Sequence, residues 1–169
     1  RSSAASDVYK RQDQNNERTP VWYMVQRINK DIHALTWVFL GAEFLRAGHT
    51  NAVTPVGCAR LTKEMLPEGI NSVTSDGQGV CVSMLKNGRN LFMMVLNGDI
   101  HNTQNVTIAK DINVKRVLMD GTTEADAAGS KTYELTPGHF VLYLVSENEP
   151  ETVEAETPVY ATSDYRDDA

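Results

Sequence analysis

The sequence predicts a mainly β chain: an antiparallel β-sandwich of about seven to eight strands, preceded by one long amphipathic α-helix. Three observations lead there. Apolar residues recur in steps of three and four from Val21 to Leu45, the period of one helix face. After Gly48 the pattern shortens to brief β-prone runs. Turn sequences punctuate those runs at Asp76-Gly77, Asn87-Gly88, Asp120-Gly121 and Thr136-Pro137-Gly138, and short strands joined by hairpin-type turns fit a sandwich better than βαβ units.

The helix opens at Thr19-Pro20, since threonine caps well and proline suits the first helical position. Its stripe runs through Val21, Met24, Val25, Ile28, Ile32, Leu35, Phe39, Ala42 and Leu45, and Gly48 is the expected stop. At 1.5 Å per residue such a helix spans roughly 40 Å. Trp22, Tyr23, Trp37, Val38 and Phe44 add apolar surface off the stripe, which suggests a second packing partner.

The strands expected are 70–75, 80–86, 89–97, 105–109, 114–119, 131–135 and 139–145. The first of these is the weakest. The pair around Asn87-Gly88 is the strongest, because that dipeptide tolerates the positive φ of a two-residue hairpin. Both its strands are apolar on both faces, as in a sheet covered on each side.

The two ends differ from this middle. Residues 1–12 lack periodicity, and Ser2 to Gln12 look like the translation of a sequencing adaptor, to be set aside from the fold. From 147 onward there are eight acidic residues and one basic, the composition of a disordered, solvated tail. Between them, residues 13–146 hold twelve basic and thirteen acidic side chains. Near neutrality argues against nucleic acid, which needs a basic stripe to replace counterions, and provides no polybasic membrane patch. No apolar run approaches the roughly 20 residues of a membrane span. The expected organisation is therefore a scar at 1–12, a helix at 13–48, a sandwich at 49–146 and a tail at 147–169.

Catalytic motifs are scarce. The sequence has no Gly-rich phosphate loop, nucleophile elbow, zinc-protease motif or calcium loop, and no catalytic residue, cofactor or metal is expected. Cys58 and Cys81 either pair, in an exported protein, or leave Cys81 as a small buried thiol. Of the histidines, His33 and His139 suit packing or surface roles, and His49 lies at the expected helix end. Asn105-Val106-Thr107 has the form of a glycosylation sequon. The loop after the central hairpin gathers Asn97, Asp99 and His101, with Asn102 beside them. These are the weak candidates for sugar contact, because amides and carboxylates hold hydroxyls; the plainer reading is a polar turn. Paired carboxylates for glycoside hydrolysis stand about 5–9.5 Å apart, and nothing in the sequence pairs Glu43, Glu64, Glu68 or Asp99.

The order of features resembles a known family. Asn29-Lys-Asp-Ile-His-Ala-Leu35 is similar to the last barrel helix of β-galactosidase-like glycoside hydrolases. Phe39 to Leu45 and Gly48-His-Thr50 resemble the exit from that helix. The hairpin ending Met94-Val-Leu-Asn97, then Val117-Leu-Met-Asp-Gly121, then Leu135-Thr-Pro-Gly-His-Phe-Val-Leu-Tyr143 resemble successive motifs of the family's C-terminal sandwich. The resemblance implies a parent enzyme with a (β/α)8 barrel and a retaining two-carboxylate mechanism, its carboxylates at the C-terminal ends of barrel strands. None of those strands is in this chain. The chain would then be a non-catalytic accessory domain, inactive alone, with the barrel as its intramolecular partner and carbohydrate reached through the parent. By the same analogy the protein is periplasmic or extracellular. A carbohydrate-binding module and a free-standing structural or interaction domain are the alternatives.

Overall fold

The computed structural model describes residues 17–51 and 54–146. The expectations for 1–12 and 147–169 lie outside them. The described residues form two α-helical segments, one 3-10 turn (Lys63–Met65) and nine strands in two antiparallel sheets. Helix α1 is Pro20–Ala34 and α2 is the single turn Thr36–Phe39. The strands are β1 (Glu43–His49), β2 (Ile70–Ser75), β3 (Cys81–Asn87), β4 (Asn90–Leu96), β5 (Gln104–Lys110), β6 (Val114–Val117), β7 (Thr123–Asp126), β8 (Gly129–Leu135) and β9 (Phe140–Ser146). One sheet has the order β1-β3-β4-β9-β6-β7, the other β2-β5-β8.

The long helix is the main correction. It leaves helical geometry at Leu35 (φ −93°, ψ 7°), and α2 adds one turn. Gly41 follows with φ 76°, the left-handed residue that commonly closes a helix. The residues expected to complete the helix instead form strand β1, paired with β3 from Glu43↔Lys86 to His49↔Cys81. The boundary expected at 48/49 thus falls inside a strand. Gly48 has a different task from the expected helix stop. A Cβ there would lie 2.7 Å from Leu61 Cα, so glycine lets the 59–61 segment approach β1, where Leu61 N–H donates to the His49 carbonyl at 2.9 Å.

The central hairpin forms with a loop one residue later than expected. Asn87 pairs with Asn90, so the loop is Gly88-Arg89, with Gly88 at φ 57°. Asn87 is not free to be a turn residue, because its side-chain amide reaches the carbonyls of Trp37 (2.9 Å), Val38 (3.1 Å) and Leu40 (3.0 Å). It ties α2 to the hairpin. Strand β7 is absent from the sequence reading. Its residues, Thr-Glu-Ala-Asp, carry no apolar alternation, and pairing with β6 defines it.

Alternation explains how the six-stranded sheet is covered. Val82, Met84, Met93, Val95, Val141 and Tyr143 join Ile70, Val73, Val106, Ile108, Tyr133 and Leu135 of the other sheet in one buried cluster. The intervening residues Phe92, Leu142 and Leu144, with Val117, face the opposite way and meet Leu35 and Val38. The ring of Trp37 stands edge-on to Phe92 at 5.4 Å, and its Nε1–H donates to the Gly121 carbonyl at 3.2 Å. At Gly121 (φ 81°) a Cβ would collide with the Ala34 carbonyl oxygen, so this turn must be glycine for the helix end to seat.

Helix α1 itself buries none of its residues. Of its stripe, Val21, Met24, Ile28 and Ile32 are 41%, 55%, 47% and 61% exposed, and Val25 is half-buried.

Candidate functional site

The loop singled out from sequence is held together by its own polar groups. Asn97 closes β4 and is fully buried. Its amide nitrogen donates to the carbonyls of Asn102 and Leu135, both at 2.9 Å. Its oxygen accepts from the Asp99 N–H at 3.0 Å and from Gln104 Nε2 at 2.7 Å. That uses both hydrogens and both lone pairs of the amide. Gln104 extends the brace to Gly79, whose N–H it accepts at 3.0 Å and whose carbonyl it meets at 3.2 Å. Asn97 therefore joins three loops from inside, with nothing left for a ligand.

Asp99 caps the same loop from outside. Its carboxylate accepts the N–H groups of His101 (2.8 Å) and Asn102 (3.1 Å) and the Asn102 side chain (3.0 Å). These bonds, the Asn102 side chain first, hold its carboxyl below the usual carboxylate range. His101 is exposed and contributes its backbone to this turn. The structure thus brings Asn97, Asp99 and His101 into one loop, as a brace.

A second polar cluster lies between the sheets, and sequence reading missed it. Asp126, the one buried carboxylate among the described residues, sits at the end of edge strand β7. Its Oδ2 accepts from Tyr133 Oη at 2.7 Å and Tyr143 Oη at 2.6 Å. The two phenols lie 2.6 Å apart. Lys110 and Lys131 each bring Nζ to 3.4 Å from Oδ1. Burial pushes the carboxyl up, but the hydrogen bonds from Tyr143 and Tyr133 and the two ammonium groups outweigh it and bring it down to about 2. Burial, with the Asp126 bond, pushes the Tyr143 phenol well up. The group is a donor to the carboxylate at every ordinary pH. A period-two signal was available: Gln104, Val106, Ile108 and Lys110 alternate along β5 and all are buried. The two polar members of that row mark the two networks.

The remaining candidates are dispersed. Cys58 is exposed, Cys81 half-buried, and both are free thiols, so the pairing alternative is not adopted. His33 and His139 are exposed. Burial pushes the His49 imidazole below its ordinary value, in keeping with a neutral ring whose Nδ1 accepts the Asn51 N–H at 3.3 Å. The sequon residue Asn105 bonds both oxygens of Asp76 at 2.8 Å. Among the described residues no three His, Cys, Asp or Glu side chains converge as metal ligands, and no helix is long and apolar enough to cross a membrane.

The sheet aromatics Phe92, Tyr133 and Tyr143 are all buried. The exposed aromatic surface lies instead on α1, α2 and β1, at Tyr23, Trp37, Phe39 and Phe44. Compared with known proteins, the chain matches no family model, no curated protein and no solved structure.

Proposed function

We propose that this chain is a non-catalytic C-terminal accessory domain of a glycoside hydrolase, in which two sheets form a β-sandwich and α1 docks on the catalytic barrel. The exposed stripe of α1 carries the proposal. An isolated helix of this length is marginal in water, and α1 has no buried residue to hold it. Burying each of its large apolar side chains contributes roughly 1.5–3 kcal/mol, which fits a helix made to be covered. The resemblance of 29–35 to a last barrel helix names the covering partner. The shared cluster of the two sheets supports the sandwich.

The chain's one buried carboxylate among the described residues serves the core, closed in by two phenols and two lysines. Catalysis accordingly belongs to the parent enzyme, which the analogy makes an exported one. The alternative of a carbohydrate-binding module lacks an aromatic platform on the inner strands, since Phe92, Tyr133 and Tyr143 are buried and Phe140 is half-buried, leaving Phe44 on edge strand β1 as the exposed sheet aromatic among the described residues. Incubation of the purified chain with a panel of aryl glycosides tests the assignment. No release of the aryl group is expected, and turnover abolished by a single carboxylate substitution overturns it.

A further inference from the structure

Where the end of β1 meets the end of β2, the surface opens into a cleft of about 320 Å³, near the lower end of ligand-site volumes. Thr50, Asn51, Arg60, Thr74 and Ser75 line it, and Val73 is its one apolar side chain. The rim is held from behind. Asn51 is fixed by its N–H on His49 Nδ1 and by its Nδ2 on the Gln78 carbonyl at 2.8 Å. Thr50 Oγ1 accepts the Val80 N–H at 2.9 Å, leaving its own O–H to donate. Gly79, at φ 93°, lets the strands close here, since a Cβ would stand 2.7 Å from His49 Cε1 and 2.8 Å from Asn51 Cβ.

The charge in the cleft is unanswered. Among the described residues the Arg60 guanidinium has no ion pair or side-chain hydrogen bond. The adjoining carboxylate, Asp76, is committed through both oxygens to Asn105. Arginine stays charged and matches a carboxylate with two parallel hydrogen bonds. The hydroxyl and amide lining suits a ligand rich in hydroxyls and leaves little for an apolar one. No aromatic ring lines the cleft, so stacking is not what would hold a sugar.

We infer that this cleft binds a small acidic saccharide of the uronate type, its carboxylate on Arg60 and its hydroxyls on Thr50, Asn51 and Ser75. The saccharide rests on the glycosidase reading above; the anion rests on the cleft itself. The test is an NMR titration of the whole chain with sodium glucuronate, glucose and acetate in parallel. Glucuronate is expected to shift the amides of Thr50, Asn51, Ser75, Gly77 and Gly79, saturating with a Kd of roughly 1–10 mM. Glucose and acetate should each bind at least about tenfold more weakly. Arg60→Gln should weaken glucuronate about tenfold while the amides of Asn97 and Gln104 stay in place, showing the fold intact. Absence of saturating shifts, or glucuronate binding that survives Arg60→Gln, overturns the site. Acetate binding as tightly as glucuronate overturns the saccharide. None of these failures touches the docking of α1, which is read separately.

Discussion

Asp126 keeps its charge in the core because two hydroxyls and two ammonium groups converge on it. Removing the carboxylate strands Lys110, whose side chain is 1% exposed. Breaking one side of a buried pair costs about 3–5 kcal/mol, so Asp126→Ala should lower urea-unfolding stability by that amount. Replacing Lys110 with Met in the same chain should recover a large part, because a buried pair exchanged for apolar packing is often neutral. Additive losses in the double variant would show that the two do not act together. The pH dependence has a definite sign. The folded carboxyl titrates at about 2, below its ordinary 3.8. Its contribution, roughly 2 kcal/mol, is complete above the ordinary value and is lost as pH falls through about 2. Chemical denaturation between pH 5 and 2 should follow that course, with Asp126→Asn losing the corresponding part of the slope. Little of this cluster was legible beforehand. Tyr133 and Tyr143 lie in predicted strands and Lys110 falls one residue past one, but Asp126 lies on a strand without apolar alternation, and only the pairing of β6 with β7 brings it inward.

At the scale of elements, the central hairpin was readable and the helix only half so. Val82, Met84, Met93 and Val95 alternate cleanly, and a glycine marks their turn. From Leu35 onward, Phe39, Ala42 and Leu45 continue the helical spacing by coincidence. Two local facts break it. Gly41 takes positive φ, and the side chain of Asn87 captures the carbonyls of Trp37, Val38 and Leu40, which a continuing helix would turn to its own amides. Both facts can be tested. Gly41→Ala has open space for its methyl, so its cost is conformational, about 1 kcal/mol. Asn87→Ala should cost about 1–2 kcal/mol and increase amide exchange from Thr36 to Leu40 without changing that of β9. Slow exchange across 35–45 in that variant would mean the helix had simply extended.

At the scale of the molecule, the six-stranded sheet is lined on both faces while α1 stands uncovered. Stability should follow that division. Replacing Met24, Ile28 and Ile32 together with lysine should leave the unfolding midpoint of the sheets nearly unchanged, within about 0.5 kcal/mol per position, and raise solubility, since an exposed apolar patch promotes association. A drop of several kcal/mol would place the stripe in the domain's own core. Overall class, central strands and turns were legible because they depend on local period and on glycine. The edges were not, because β1 and β7 are defined by their neighbours.

The proposed function makes this domain part of a larger glycosidase whose barrel covers α1. Reading the source DNA upstream of the codon for Asp13 tests it most directly. The expected result is an open frame continuing through a (β/α)8 barrel, with two glutamates at the C-terminal ends of its strands. A start codon shortly upstream, or a frame that encodes no barrel, would contradict it.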